Sequence, residues 1–275
     1  MSATVHRQLE RASAGPVHID VMGLHHAYGT RKVFDGLSCR CTQHKITCIL
    51  GASGVGKSTL LRMISSIEKP QSGEIWGGDE EITCMPEAQA KRFRRRIGMM
   101  FQGGALLDSM TVFDNVALPL REHTELPESE ITDRVRNQFE AVGLKEAERL
   151  LPGEISGGMK KRAALARAMV TEPEILVCDE PFSGLDPIAV RNVEALLVET
   201  KERAGVTMIL TNHHIGSTLR MADQVVFLAG GSAVSGSVDE FRHNVDPRIA
   251  GFLDAAGPGR APVELPDASE VARNA

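Results

Sequence analysis

Residues 51–58 read Gly51-Ala52-Ser53-Gly54-Val55-Gly56-Lys57-Ser58, and Thr59 follows. They match the phosphate-loop pattern (Gly, four residues, Gly, Lys, then Ser or Thr) at every fixed position. A hydrophobic run from Lys45 to Leu50 precedes the motif, and a helix-like run from Thr59 to Ile64 follows it. This strand–loop–helix context lets Gly51, Gly54 and Gly56 turn successive backbone N–H groups inward around a polyphosphate. The opening turn of the helix adds the positive end of its dipole at the same place. Lys57 can reach the β- and γ-phosphates, and Ser58 can offer its hydroxyl to Mg²⁺.

Composition limits the surroundings of this loop. The chain has 275 residues, of which 42% are hydrophobic, enough for a large core in one or two domains. A net charge of -5 argues against non-specific nucleic-acid binding. The run Lys91-Arg-Phe-Arg-Arg-Arg96 spreads its charge around a helix and reads as a solvated or phosphate-facing surface. The five cysteines (Cys39, Cys41, Cys48, Cys84 and Cys178) show no zinc-type spacing and sit mostly in apolar runs. They read as reduced, buried thiols of a cytosolic protein. Cys39 and Cys41 would share one face of a strand, without a second pair of ligands to complete a metal site. The N-terminus lacks the apolar region of a signal peptide. No run reaches the roughly 18 apolar residues of a membrane span, so any membrane role would act through a partner on the cytoplasmic side.

Strand-like runs appear at 17–28, 45–50, 97–101, 174–178, 206–210 and 224–229, with a turn at Gly29-Thr30. Helical patterns at 59–67, 87–95, 157–170, 187–203 and 215–222 separate them. This alternation predicts an α/β fold, a mainly parallel sheet with helices on both faces. Residues 103–155 are charge-rich, contain Pro119, Pro127 and Pro152, and show helical periodicity, which predicts an all-helical insertion. Residues 1–16 read as a loose tail and 17–254 as the folded domain. Residues 255–275, rich in Ala, Pro and Gly, read as a flexible tail or docking arm.

Two further motifs narrow the chemistry. Ile175-Leu-Val-Cys-Asp179-Glu180 is a buried strand ending in two carboxylates. Asp179 can hold Mg²⁺ through water, and Glu180 can polarise a water for attack on a γ-phosphate. Ile155-Ser156-Gly157-Gly158-Met159 opens a helix, with Ser156 as a good N-cap and two glycines exposing backbone N–H groups. This makes a second anion site. If both sites lie on one face, one chain cannot close them on the same nucleotide, but two chains packed head to tail can.

Residues 51–58, Gln102, 155–159, 179–180 and Ser183-Gly-Leu-Asp186 resemble, in order and spacing, the nucleotide-binding subunits of ABC transporters. The resemblance covers roughly residues 17–245. It implies a P-loop NTPase (RecA-like) core with an antiparallel β edge and an inserted all-helical subdomain, working as a homodimer on ATP and Mg²⁺. Nucleotide contacts are then expected from Tyr28, which would stack on adenine, and from Gly51, Ala52, Ser53, Gly54, Val55, Gly56, Lys57, Ser58 and Thr59. Gln102, Ser156, Gly157, Gly158 and Asp186 complete that set. Ser58, Gln102 and Asp179 are expected at the metal, with Glu180 and His213 as catalytic residues. Four positions depart from the family pattern: Ile155 replaces Leu, Met159 replaces Gln, His214 replaces the Asp after the switch histidine, and Phe182 replaces Ser or Thr.

The stretch from Ser156 to Ala168 and the run from Phe101 to Pro127 resemble the MlaF-like branch, which serves phospholipid transporters that work with MCE proteins. This implies an MlaE-like permease, an MCE-domain protein and a possible STAS-domain subunit as partners. It places the chain peripherally on the cytoplasmic face of the inner membrane. Residues Leu106 to Leu120 mix apolar side chains with few charges and are expected to form the permease groove. Two other readings stay open on the catalytic residues alone: an ABC ATPase for another cargo, such as an amino acid or a lipoprotein, and a soluble ABC ATPase.

Overall fold

The computed structural model describes residues 17–244 and 246–255. The expected tail at 1–16, and the one at 255–275 apart from Ala255, lie outside the described residues. Two sheets organise the chain. The first is antiparallel, in the order β2 (Arg31–Thr42), β1 (Val17–Tyr28), β4 (Ser72–Gly77), β5 (Glu80–Glu81). The second has six strands in the order β10 (Ser232–Ser237), β9 (Gln224–Ala229), β3 (Ile46–Gly51), β8 (Thr207–Thr211), β7 (Ile175–Cys178), β6 (Ile97–Met100). Strands β9, β3, β8, β7 and β6 pair in parallel, and only β10 at the edge runs antiparallel.

The parallel strands are buried on both faces, and the period of two sorts their side chains between two cores. Cys48, Leu176, Cys178, Met208 and Leu210 face a layer built from α3 (Val112–His123), α4 (Glu128–Val142) and α5 (Gly157–Met169). Ile49, Ile175, Val177, Ile209 and Val226 face the antiparallel sheet together with α1 (Lys57–Ile64) and α2 (Glu87–Arg94). A third core around Phe227 and Phe241 packs α8 (Val238–Arg242) and α9 (Pro247–Ala255) on the far edge. Polar contacts join the sheets: His18 Nδ1 of β1 lies 2.7 Å from Thr207 Oγ1 of β8, and Asp35 N donates to the Gly231 carbonyl at 2.9 Å.

The helical layer forms where its caps dictate. Thr111 caps α3 by accepting from Asp114 N at 3.0 Å, and Gly143 ends α4 at φ 66°. Helix α6 (Pro187–Ala204) begins with Pro187 at its first position and Asp186 as cap. Helix α7 (Ile215–Met221) follows β8. Strands β2, β4, β5 and β10 have no counterpart in the sequence reading. Strand β2 is interrupted by Gly36 (φ 82°) and shows register shifts against β1, and β10 reads Ser-Ala-Val-Ser-Gly-Ser. Neither gives a clean apolar alternation. The phosphate-loop helix starts at Lys57, two residues before the expected position.

Cys39, Cys41, Cys48 and Cys178 are buried, and Cys84 is exposed. Burial pushes the thiols of Cys41, Cys48 and Cys178 up to about 12, so they stay protonated. Among the described residues no group of three or more His, Cys, Asp or Glu side chains could hold a metal ion. The run from Lys91 to Arg96 is partly paired within the molecule: Arg94 bonds Glu87, and Arg96 bridges Glu80 and Glu174.

Gly98 marks the tightest contact between edge strand and helical layer. A Cβ there would lie 2.2 Å from the Ala168 carbonyl oxygen of α5 and 2.9 Å from Pro173 Cγ. A backbone oxygen cannot rotate away, so Gly98→Ala should destabilise by about 1–3 kcal/mol, the usual cost of overpacking. Urea unfolding measures this, and an unchanged midpoint would contradict the packing.

Candidate functional site

Strand β3 delivers the chain into the phosphate loop at Gly51, whose φ is 147°. A Cβ at Gly51 would meet the Leu228 carbonyl oxygen at 2.7 Å and Val55 at 2.9 Å. Gly56, at φ 114°, leads into α1, and a Cβ there would meet Val33 at 2.6 Å and Phe34 at 2.8 Å. These two glycines are therefore fixed by close approach as well as by φ. Lys57 is buried, and its Nζ donates to the carbonyls of Gly51 and Ala52, both at 3.0 Å. Burial lowers its pKa, while the charges of Glu180 and Asp179 push it back up. The ammonium thus rests on neutral carbonyls inside a loop shaped for an anion, and a polyphosphate would meet it there. Ser53, Gly54, Gly56, Lys57, Ser58 and Thr59 line a cleft of about 430 Å³ that Tyr28, Gln102, Glu180 and His213 also border. Ala52 serves through its carbonyl, and Val55 packs on the apolar core.

Strand β7 brings Asp179 and Glu180 to this cleft. Asp179 Oδ1 accepts from Ser58 Oγ at 3.1 Å and from Thr211 Oγ1 at 2.6 Å. Thr211 Oγ1 in turn accepts from Glu180 N at 2.9 Å. Glu180 has φ 47°, a left-handed conformation that costs a non-glycine residue about 1–3 kcal/mol at a functional site. Its surroundings over-determine it. Gln102 Nε2 donates to one carboxylate oxygen at 3.2 Å, His213 Nε2 contacts the other, and Lys161 Nζ donates to the backbone carbonyl at 3.3 Å. His213 lines the phosphate cleft and also borders a second cleft beside Arg191 and Arg220, whereas His214, the N-cap residue of α7, lines only the second.

Tyr28 presents its ring at the rim, 46% exposed, with its hydroxyl tied to Glu68 and to Arg62 Nη2 at 3.0 Å. His26 stands edge-on to the ring at 4.7 Å.

The remaining expected residues lie elsewhere. Ser156 caps α5, its Oγ accepting from Met159 N at 3.3 Å, and Gly157 and Gly158 form the first turn. Asp186 caps α6, accepting from Ile188 N and Ala189 N at 2.9 Å each. Ser156, Gly157, Gly158 and Asp186 line a separate cleft of about 840 Å³, which shares no lining residue with the first. Each chain therefore carries two helix N-termini able to bind anions, on two clefts.

Several residues at the site escaped the sequence reading. Arg31 lines the phosphate cleft and bonds the Gly54 carbonyl. Thr211 lies one residue past the strand read at 206–210. Arg62 lies one turn into the helix after the motif, Glu68 lies beyond its end at Ile64, and Lys161 sits in the stretch after Met159 with no role read for it. No role was read for any of these residues from the sequence, and only their packing reveals one.

A phosphate-binding loop at a strand–helix junction after β3, with a carboxylate pair at the end of β7 across the intervening β8, defines a P-loop nucleotide-binding ATPase. A family model described as ABC transporter matches residues 34–183. The protein described as "Intermembrane phospholipid transport system ATP-binding protein MlaF" of Escherichia coli (strain K12) is 42% identical over 249 residues, 90% of this chain and 93% of that one. A solved structure of cbiO1 from Clostridium perfringens, part of the ABC transporter complex cbiONQ, matches with TM-score 0.77 and 30% identity, covering 87% of this chain and 99% of that one. A dimeric bacterial ABC transporter cassette matches with TM-score 0.73 and 25% identity, covering 80% of this chain and 98% of that one. The chain belongs to the ABC transporter family, as an ATP-hydrolysing, ATP-binding subunit.

Thr211 ties the Asp179 carboxylate to the backbone N–H of Glu180. Thr211→Val keeps the branched shape but removes the donor to Asp179 and the acceptor for Glu180 N. Leaving such buried groups unpaired costs about 1–3 kcal/mol. Chemical denaturation should show that loss, and a variant as stable as the parent would contradict the role.

Proposed function

We propose that this subunit powers phospholipid movement between membranes, as a homodimer with Mg²⁺, docked on the cytoplasmic face of an MlaE-like permease in the inner membrane. An MCE-domain protein and possibly a STAS-domain subunit complete the assembly. The 42% identity to MlaF over nearly the whole of both chains carries the cargo reading. Among the described residues no helix is long and apolar enough to cross a membrane, which fits a peripheral subunit.

The site residues take the following roles. The amides of the phosphate loop and Lys57 bind and orient the β- and γ-phosphates. Ser58 Oγ and the Asp179 carboxylate lie in contact, a hard-oxygen pair suited to Mg²⁺, and Gln102 lies nearby through Glu180. When bound, the metal would neutralise charge on the phosphates. Glu180 orients a water and draws off its proton, and His213 stands on the other side of the carboxylate to contact the γ-phosphate. Ser156, Gly157 and Gly158 of a second copy cover the nucleotide from the opposite face, with Asp186 beside them. Tyr28 stacks on the adenine, its hydroxyl steadied by Arg62 and Glu68.

The permease face is drawn from residues 106–120. Val112, Val116 and Leu120 are spent on the interior, whereas Leu107 is 44% exposed and Leu106, Met110, Phe113 and Leu118 are half-buried. Leu106 and Phe113 also pack against the core, so Leu107, Met110 and Leu118 supply most of the apolar surface available to a partner.

Glu180→Gln keeps the shape of the side chain and loses the proton acceptor. It should retain ATP yet slow hydrolysis by about 10²–10⁴, the usual worth of such a group. Lys57→Ala should instead weaken ATP binding. If both variants fail to bind ATP, this division of roles is wrong. In cells, loss of the subunit should disturb envelope lipid balance. An auxotrophy for a nutrient with an intact envelope would contradict the cargo.

A further inference from the structure

Lys161 is a buried lysine with no carboxylate bonded to it. It is 4% exposed, and among the described residues its Nζ bonds only neutral oxygens: the Glu180 carbonyl at 3.3 Å and Ser183 Oγ at 3.1 Å. Lysines are rarely fully buried without an ionic partner, because stripping water from the ammonium is costly. Its neighbours on the same helix, Ala163, Ala164 and Leu165, are all buried, so an apolar side chain would suit the packing better. Burial lowers its pKa, and the nearby carboxylates of Glu180 and Asp179 oppose that shift. The position carries a destabilising group, and that group touches the one strained residue at the hydrolytic centre.

Its place in the fold connects three parts. Lys161 lies four residues after Gly157 on α5, so it shares a face with the first turn of that helix. Ser183 opens the loop to Gly184, Leu185 and Asp186, which lines the same cleft as Ser156. The Glu180 carbonyl accepts from Lys161 and also from Ser183 N at 3.2 Å. A shift of α5 or of that loop therefore pulls on the carbonyl of Glu180, whose N–H is held by Thr211. We propose that Lys161 is a positioning residue: it holds Glu180 in its left-handed turn and links occupancy of the α5 cleft to placement of the Glu180 carboxylate. This rests on the reading of Glu180 as the residue that activates water.

The test uses the full-length chain with ATP and Mg²⁺, following kcat, KM and melting temperature. Lys161→Met removes the ammonium at nearly constant volume. It should lower kcat about tenfold to hundredfold with KM changed less than about twofold, the pattern of an interaction made for turnover rather than for binding. Its melting temperature should stay level or rise, since a buried charge is gone. Lys161→Arg should recover kcat to within about threefold of the parent, and Lys161→Met should add no loss on top of Glu180→Gln, because residues acting as a unit are not additive. A normal kcat in Lys161→Met overturns the proposal. So does a further loss in the double variant, or a kcat lowered only in step with the melting temperature. If Lys161→Met does not fold, Lys161→Gln and Ser183→Ala serve instead, and a normal kcat in both overturns the proposal. A Glu180→Gln chain as fast as the parent would sink the underlying reading of Glu180. An inactive Glu180→Gln with a normal Lys161→Met would sink the Lys161 role alone.

Discussion

Negative charge on a polyphosphate must be met by donors that are already in place, and in the function we propose those donors are helix N-termini. The start of α1 is one, with its loop shaped by Gly51 and Gly56 and its Lys57 resting on loop carbonyls. The start of α5 is the other, capped by Ser156. A helix N-terminus gathers several orphan N–H groups and a partial positive charge without burying a cation. The two ends border different clefts of one chain. Most of the fold can be understood as the scaffold that holds them apart: the parallel sheet carries α1 and the carboxylates, and the helical layer carries α5.

Between them stands the turn at Asp179 and Glu180. It is held from three sides, by Ser58 of the phosphate loop, by Thr211 of β8, and by Lys161 of α5. Gln102, at the entrance to the helical layer, and His213, after β8, grip the Glu180 carboxylate. A residue kept in the left-handed region by this many contacts responds to small displacements of any of them. Each contact comes from a segment with another duty in the function we propose: phosphate binding, partner docking, or closure on a second chain. Hydrolysis and transport can be coupled through this turn without a long-range pathway.

The sequence carried the parallel sheet because its strands are buried on both faces and read as continuous apolar runs. Ile46 to Leu50 and Ile175 to Cys178 leave little room for another interpretation. Strands β2 and β10 were hidden because Gly36 and the serines of β10 break the apolar alternation that marks a strand. At the site, motif residues were legible because phosphate binding demands fixed spacing along the chain. Thr211, Arg31 and Lys161 were not, because their partners lie 32, 23 and 19 residues away in sequence and no local pattern encodes the meeting. The apolar content of residues 106–120 was legible too, but only packing separates Val112 and Val116, which are interior, from Leu107, which is not.

The central claim is that one nucleotide is enclosed by α1 of one chain and α5 of another. It is tested most directly by mixing two inactive variants, Lys57→Ala and Ser156→Arg. Each alone should hydrolyse no ATP. A mixed dimer has one site built from an intact Lys57 and an intact Ser156, so the equimolar mixture should hydrolyse ATP where neither parent does. A mixture as inactive as its parents at every ratio, or full activity in Ser156→Arg alone, would contradict the account.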